Sequence, residues 1–316
     1  MNIILQKWNE FWFSPFNPLC VSVFRIFLGV EMFIFYIANF PNWERFYAAD
    51  GIISLTNGEA LRMSWWSIFS HTEGFIPIKI FWLVGLLSTI LFTLGWKTRL
   101  ATILLYIIQT SMNCRDWYVV NGEDHIFRML LFYSCFAPLN YCLSIDSFLK
   151  EKKLKKLGLN LVTELPSIWP IRAMQINIAL IYLVNIPNKL TDDFAWLNGE
   201  AIYWSMANSF WGGRLNPLWF AAYDSLLSKF ASYGTLIIEG LFPYLVWFKR
   251  TKMFCVVSLA LLHLGIAFMI PNVTFFTLSM VCAFWVFVPP SVILKRWNSP
   301  FASINRIHFL SKARTI

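Results

Sequence analysis

Several ionisable side chains lie inside or beside apolar stretches of this sequence, where a charge is costly to bury. They are Arg25, Glu31, the string NGEDHIFR at 121–128, Lys189, Glu239 and His263. Charged groups retained in apolar segments are candidates for function, because burial costs several kcal/mol unless the group is paired or hydrated. A lysine amine can act as a base, and a buried histidine can donate or accept a proton. The residue types are therefore compatible with proton-transfer chemistry in an apolar protein, beside structural roles that the spacing leaves open.

Lys189 and His263 each have a structural explanation beside the chemical one. Lys189 follows an apolar run and Pro187, so it could extend to lipid headgroups or pair with Asp192 or Asp193. Alternatively, it is an amine beneath a tryptophan-containing segment and serves as a base. His263 stands alone in SLALLHLGIAFMI and could make one interhelical hydrogen bond or supply a proton. Spacing alone leaves both explanations open.

The string NGEDHIFR is predicted to begin a helix. Asn121 suits the turn before it, and Glu123 and Asp124 fall in the first turn, where the positive end of the helix dipole favours acids. His125 and Arg128 are three residues apart and therefore share a face. We interpret the acids as capping residues, and for His125 and Arg128 a salt-bridging role and a functional role both remain.

Arg25 and Glu31 are six residues apart, so they lie on different faces of a helix and each needs a partner on another helix. We interpret both as contacts between helices. The alternative is that they and Glu239 line the path of a transported substrate, since buried charges often mark such paths. No repeated half or matching broken helices accompany them, which disfavours a transporter.

The composition predicts a membrane protein. Of 316 residues, 58% are hydrophobic and only 14% are charged. A segment of ~20 apolar residues crosses a bilayer, and only a helix satisfies its own backbone there. We therefore predict an all-α integral membrane fold, a bundle of about eight transmembrane helices. The apolar segments lie at roughly 18–39, 76–95, 99–114, 125–143, 168–187, 230–248, 252–270 and 272–290.

The basic residues predict an orientation with both termini in the cytoplasm. The segments on that side (1–17, 96–99, 144–172, 249–252 and 291–316) hold 17 of the 26 Lys and Arg but 4 of the 17 Asp and Glu. Two aromatic-rich outer segments, 40–75 and 188–229, are predicted to cap the bundle at the interface. We divide the chain into one domain, 1–290, with an interfacial segment at 1–17, and a basic cytoplasmic tail, 291–316.

Other classes of protein fit less well. The net charge of +9 lies in membrane-flanking loops without a nucleic-acid-reading motif, so no nucleic-acid partner is expected. The six cysteines lack paired or zinc-binding spacing, so we expect neither a disulfide framework nor a metal site. The N-terminus lacks the pattern of a cleaved signal peptide.

Five motifs occur in an order that resembles a known family. They are PLCVSVFRIFLGVEMFIFY (18–36), GWKTRLATILLY (95–106), NGEDHIFRMLLFY (121–133) with LSID (143–146), RAMQINIALIYLVNIPNKLTDDFAWLNGEAIYW (172–204) and LLHLGIAFMIPNVTFFTLSM (261–280). Together they resemble the membrane domain of vitamin K-dependent γ-carboxylase and its bacterial relatives, the horizontally transferred transmembrane (HTTM) domain family. The resemblance extends over about residues 15–290.

The resemblance implies a set of site residues. The family's lysine base, followed by Leu, acidic residues and Trp, matches Lys189 in NKLTDDFAW, and family histidines match His125 and His263. We assign the neighbouring polar residues as pocket or structural partners: Arg25, Asn121, Asp124, Arg128, Gln175, Tyr182, Trp196 and Glu239. The animal enzyme is more glycine-rich before this lysine and has a second lysine. Here Pro187 is expected to end or kink the helix.

The resemblance also implies an activity. The family enzyme oxygenates vitamin K hydroquinone to its epoxide and carboxylates peptide glutamate side chains with the strong base formed. We therefore expect an enzyme that binds a vitamin K or menaquinol-type hydroquinone without a metal, toward the outer face of a bacterial cytoplasmic membrane. Its expected partners are membrane lipid, quinone and a small secreted peptide.

One departure from the family supports a different function. The animal enzyme continues into a large luminal substrate domain, which these 316 residues do not contain. The alternative is a non-catalytic membrane factor for maturation or export of a secreted peptide, or for immunity to it.

Overall fold

The computed structural model describes residues 2–48, 50–52, 64–72, 76–116, 118–158, 165–191, 194–208, 210, 213–215 and 225–296. Within these ranges the regular structure is helical, and the β-type contact that is present is an isolated bridge between Pro15 and Ser167. The prediction of an all-α fold is confirmed.

Fifteen α-helices lie within the described residues. They are α1 Ile3–Phe13, α2 Leu19–Asn39, α3 Trp43–Tyr47, α4 Ile68–Thr72, α5 Ile78–Leu94, α6 Thr98–Arg115, α7 Gly122–Ser134, α8 Ile145–Lys156, α9 Trp169–Thr191, α10 Phe194–Leu197, α11 Ala201–Ala207, α12 Leu226–Leu245, α13 Lys252–Met269, α14 Thr274–Phe284 and α15 Pro290–Arg296. Short 3₁₀ turns occupy Phe40–Asn42, Ser64–Trp66, Pro271–Val273 and Trp285–Phe287.

Two helical stretches among the described residues are long and apolar enough to cross a membrane, judged by length and composition. They are Leu19–Tyr47 and Lys252–Met269. Two further apolar stretches, Ile78–Leu94 and Pro271–Phe287, are shorter. A helix overlaps each of the eight predicted segments. That all eight cross a membrane, with both termini in the cytoplasm, stays a prediction.

Three predicted helix boundaries are wrong. The segment 125–143 is helical only to Ser134, since Pro138 cannot continue the helical hydrogen bonding and the chain turns there. Helix α9 extends past the predicted end of its segment at Pro187 and continues to Thr191; that Pro187 kinks the helix stays a prediction. The segment 272–290 is divided into two 3₁₀ turns and the short helix α14, and it stops before Pro289.

Helix packing brings the middle of the bundle together around α14. Helix α2 packs against α5 and α14, and α14 also packs against α7 and α13. Helix α9 packs against α12, which in turn packs against α13. The buried core runs through these helices and is rich in phenylalanine. Helices α9, α12, α13 and α14 therefore surround one interior region.

The long helices carry apolar side chains on their outer faces as well. On α13 the exposed residues recur every three or four positions, at Phe254, Val257, Leu261, Leu264 and Phe268. The opposite face of the same helix is buried and includes Leu259 and His263. Exposed apolar stripes of this size mark contact with a membrane or another protein.

The predicted outer segments contain short helices. In 40–75 these are α3 and α4, and in 188–229 they are α10 and α11. Trp43 holds the first segment to the bundle, because its indole N–H donates to the Ile78 carbonyl at 3.0 Å. Residues 49, 53–63 and 73–75 of the first segment, and several of the second, lie outside the described residues, as do 297–316 of the predicted basic tail.

Candidate proton-transfer site

Helix α9 positions Lys189 in its last turn, two residues after Pro187. Proline lacks an N–H and so removes one hydrogen bond from the helix. One turn later, the Thr191 hydroxyl donates to the Pro187 carbonyl at 2.9 Å. A basic side chain in the last turn also interacts favourably with the helix dipole. The local sequence therefore allows α9 to carry Lys189 beyond the proline.

Lys189 forms an ion pair with Glu239 of α12. Its Nζ donates to Glu239 Oε2 at 2.5 Å, and the two side chains are only 15% and 6% exposed. The ammonium also lies over the Trp196 ring, 4.3 Å from the ring centroid. A carboxylate and an aromatic face are the two groups that best compensate a cation with little access to water.

Tyr182 and His263 form a second pair deeper in the bundle. The Tyr182 hydroxyl and His263 Nε2 are 2.7 Å apart, and both residues are 2% exposed. The imidazole also contacts the rings of Phe276 and Phe284, at centroid distances of 6.0 and 5.7 Å. This is a polar pair enclosed by aromatic rings.

The second nitrogen of His263 is the unusual atom in this pair. Nδ1 is buried and has no hydrogen-bond partner among the described residues. If Tyr182 donates to Nε2, Nδ1 carries the proton of the neutral ring and is a free donor; if Nε2 donates, Nδ1 is a free acceptor. Either way, a buried polar atom is left available for a ligand or a water molecule.

The two pairs lie on one face of α9. Tyr182 and Lys189 are seven residues apart, which is about two turns or ~10 Å along the helix. Helices α9, α12 and α13 thus assemble one polar site from three apolar segments.

His125 is not part of these pairs. It has an exposed side chain, and its Nδ1 lies 3.5 Å from Nη2 of Arg128 on the same helix face. The start of α7 is nevertheless close to the site, because a side chain at Gly122 would meet the ring of Phe276, which contacts His263. The structure therefore brings together Lys189 with Glu239 and His263 with Tyr182. His125 lies at the start of α7, near this site but outside both pairs.

Asn121 and Asp124 cap α7, as the sequence predicts. The Asn121 backbone N–H donates to Asp124 Oδ2 at 3.0 Å, and the Gln109 amide of α6 donates to Asp124 Oδ1 at 2.9 Å. Asn113 of α6 donates to the Asp124 carbonyl at 3.1 Å. Asp124 therefore joins the start of α7 to α6.

Burial at the start of α7 makes the stability of the protein depend on pH. Burial raises the pKa of Glu123 from 4.5 to about 7 and that of Asp124 from 3.8 to about 6. Both carboxyl groups therefore bind protons more tightly in the folded state, so the free energy of unfolding should decrease as pH rises through this range. We expect a loss of several kcal/mol across this interval, about 1.4 kcal/mol for each unit of pKa shift, measured as a falling melting temperature of the detergent-solubilised protein.

The matched control for this pH effect is Glu123→Gln, which removes one titrating group and keeps the shape of the side chain. Its melting temperature should fall less steeply between about pH 4.5 and 7, the interval over which Glu123 titrates. An unchanged slope would contradict the assignment of the effect to Glu123.

Arg25 serves to hold the fold together. It is fully buried and donates from Nη1 to the Leu139 carbonyl at 2.6 Å and from Nη2 to the Leu143 carbonyl at 2.5 Å. Leu143 has a positive φ of 49°, a conformation that a non-glycine residue adopts at a cost. Asp146 then accepts from the backbone N–H and hydroxyl of Thr98, at 2.9 and 2.7 Å, and caps α6.

Gln175 and Glu31 also lie in the interior, away from the ion pair. The Gln175 amide donates to the Val286 carbonyl at 2.6 Å and accepts from Arg172 at 2.9 Å, so it joins α9 to the turn after α14. Glu31 is 6% exposed and lies beside Cys282 and Glu123. Among the described residues, neither Gln175 nor Glu31 forms a hydrogen bond with the Lys189–Glu239 pair or the Tyr182–His263 pair.

Sequence reasoning treated Glu239 as a polar partner without identifying it as the partner of Lys189. The two residues are 50 positions apart on different helices, and no spacing rule connects them. The acids proposed from the sequence, Asp192 and Asp193, lie outside the described residues. One feature of the sequence does favour this pairing. Lys189 and Glu239 each stand alone in or beside an apolar segment, and a buried charge needs a partner of opposite sign.

Comparisons with known proteins add no assignment. No family model matches the sequence. No curated protein and no solved structure shows significant similarity to the chain.

Proposed function

We propose that this protein is an integral-membrane enzyme that binds a lipid-soluble hydroquinone between its helices and removes a phenolic proton with the Lys189–Glu239 pair. One observation carries the proposal. Two polar pairs, Lys189 with Glu239 and Tyr182 with His263, lie on one face of α9 in an apolar interior. Ionisable groups retained in such an environment are functional candidates because their burial is otherwise costly.

In this proposal the eight apolar helices cross the bacterial cytoplasmic membrane, and the site lies toward its outer face. The exposed apolar stripe of α13 supports this, as does the similar stripe of α2 at Phe27, Val30, Ile34 and Ile37. Outer faces of this kind suit lipid. The asymmetric distribution of lysine and arginine supports the orientation.

The ion pair is a means of producing a neutral amine without separating charge. A proton that moves from Lys189 Nζ to Glu239 Oε2 converts the pair to an amine and a carboxylic acid. In water the charged form is favoured by solvation, but both side chains here are largely buried. The amine then accepts a phenolic proton at Nζ, while Glu239 retains the first proton.

His263 is the residue that would orient the hydroxyl of a bound ring. Tyr182 occupies Nε2, and the buried Nδ1, which has no partner among the described residues, would bind the ligand hydroxyl. The rings of Phe276 and Phe284 lie against the imidazole, and such aromatic surroundings suit a planar aromatic ligand with hydroxyl groups. When bound, the hydroquinone would supply the acidic O–H and the electrons for reaction with dioxygen, giving quinone epoxide and water. His125 would act at the entrance to the site.

The test is epoxide formation by purified protein supplied with oxygen and a reduced quinone, with vitamin K hydroquinone, menaquinol and ubiquinol tried separately. A double variant, Lys189→Met with Glu239→Gln, removes both charges together and so avoids leaving one unpaired. We expect it to lose activity by at least about 100-fold, the size of effect typical of a lost acid–base group.

The matched control is Lys79→Met with Glu44→Gln, which removes an exposed ion pair with a 2.9 Å contact. It should retain the wild-type rate. The proposal fails if wild-type protein forms no epoxide from any of the three quinols, or if the Lys189/Glu239 double variant is folded and fully active. Incorporation of labelled CO2 into a co-expressed secreted peptide would test the coupled carboxylation.

The second candidate function is a non-catalytic factor for a secreted peptide. The observation in its favour is that Lys189 and Glu239 already satisfy one another, as a purely structural interhelical pair would. This function predicts that the folded double variant supports peptide maturation or immunity as well as the wild type. A transporter has less support, because Arg25 is engaged by two carbonyls and Glu239 by Lys189.

A further inference from the structure

Helix α8 carries a basic, partly apolar surface that the proposed enzyme site does not use. Its sequence, IDSFLKEKKLKK, contains five lysines and two acids. Within the described residues Lys155 pairs with Glu151 at 2.7 Å, and the remaining four lysines have no carboxylate partner. Those four, Lys150, Lys152, Lys153 and Lys156, have exposed side chains.

Large apolar side chains accompany these lysines. Phe148 and Leu149 are 58% and 48% exposed. At 100° per residue, Lys152 and Lys156 follow them along the same side of the helix. A cluster of lysines beside an exposed phenylalanine and leucine fits neither a solvated helix nor a buried one. It fits a helix lying at the boundary between lipid tails and headgroups.

The start of α8 is fixed firmly to one end of the bundle. Asp146 accepts from the Lys97 N–H at 2.8 Å and from Thr98, and its own N–H donates to the Gly95 carbonyl at 2.9 Å. These bonds place Trp96, which is 45% exposed, close to the start of the helix. Tryptophan is enriched at membrane interfaces. The helix, Trp96 and Lys97 thus form one continuous surface.

We propose that this surface, comprising α8 with Trp96 and Lys97, binds the headgroups of anionic phospholipids. Charge complementarity selects the lipid class, because four lysines without acidic partners favour headgroups with a net negative charge over zwitterionic ones. The exposed apolar side chains of Phe148 and Leu149 favour a bilayer over soluble phosphate. A bilayer offers apolar surface to these two side chains as well as negative charge to the lysines. The proposal is independent of the chemistry assigned to Lys189.

The experiment measures thermal unfolding of the detergent-solubilised protein as phosphatidylglycerol or phosphatidylcholine is added. Phosphatidylglycerol should raise the melting temperature more, and added salt should weaken the effect. Replacing Lys150, Lys152, Lys153 and Lys156 together by glutamine should lower the apparent affinity for phosphatidylglycerol by about 100-fold or more, since each lysine near an anionic surface contributes roughly fivefold. The same four positions changed to arginine should retain it.

A second variant tests the apolar part of the surface. Phe148→Ser with Leu149→Ser should weaken the response to both lipids while the preference for phosphatidylglycerol remains. The proposal is overturned if the glutamine variant responds like the wild type or if both lipids stabilise the wild type equally. It is also overturned if glycerol phosphate or a short oligonucleotide reproduces the effect of phosphatidylglycerol.

Discussion

Glu239→Gln alone is expected to lower the free energy of unfolding by about 3–5 kcal/mol. The substitution keeps the shape of the side chain but leaves the Lys189 ammonium, whose side chain is only 15% exposed, without a carboxylate. A buried charge that has lost its partner destabilises a protein more than removal of the whole pair does. Chemical unfolding in detergent micelles would measure the difference.

The double variant of Lys189→Met and Glu239→Gln is the decisive comparison for this pair. It should be more stable than Glu239→Gln alone, because no unpaired charge remains. Glu44→Gln, at the exposed Lys79 pair, should change stability by about 0–1 kcal/mol. If Glu239→Gln were as mild as Glu44→Gln, the ion pair would not be a desolvated interaction.

Arg25→Met is expected to cost a similar amount, about 3–5 kcal/mol, for a different reason. Its two hydrogen bonds satisfy the carbonyls of Leu139 and Leu143, and each buried acceptor left unpaired costs about 1–3 kcal/mol. The left-handed conformation of Leu143 also loses its support. The same unfolding measurement applies.

Arg25→Lys is the control for this prediction. A lysine keeps the charge but cannot reproduce the planar fork that reaches two carbonyls, so it should recover only part of the stability. A loss below about 1 kcal/mol for Arg25→Met would contradict the structural role. Under the proposed function, the folded fraction of Arg25→Met should still oxidise quinol, since Arg25 is bonded to the turn before α8 and contacts neither polar pair.

The roles of Arg25 and Asp146 bear on the motif-based resemblance. Arg25, Gly95 and the segment LSID meet at one end of the bundle, where Gly95 has a φ of 69° and a side chain there would touch Arg25. Three of the five motifs therefore contain residues that support the fold. Only two motifs, 172–204 and 261–280, supply members of the two polar pairs: Tyr182 and Lys189 from the first, and His263 from the second.

The sequence by itself determined the fold class and the positions of most helices. Apolar segments long enough for a membrane helix are readable from composition, because burial of apolar surface and internal backbone hydrogen bonding act along a local stretch of chain. The capping of α7 by Asn121 and Asp124 was readable for the same reason, since both partners lie within one turn.

Only the tertiary structure shows which polar side chains contact one another. Lys189 pairs with Glu239 across 50 residues, and Tyr182 meets His263 across 81. Such contacts depend on how α9, α12 and α13 pack, which local spacing does not encode. The continuation of α9 through Pro187 to Thr191 was likewise seen only in the structure, where the last turn carries Lys189 to Glu239 of α12.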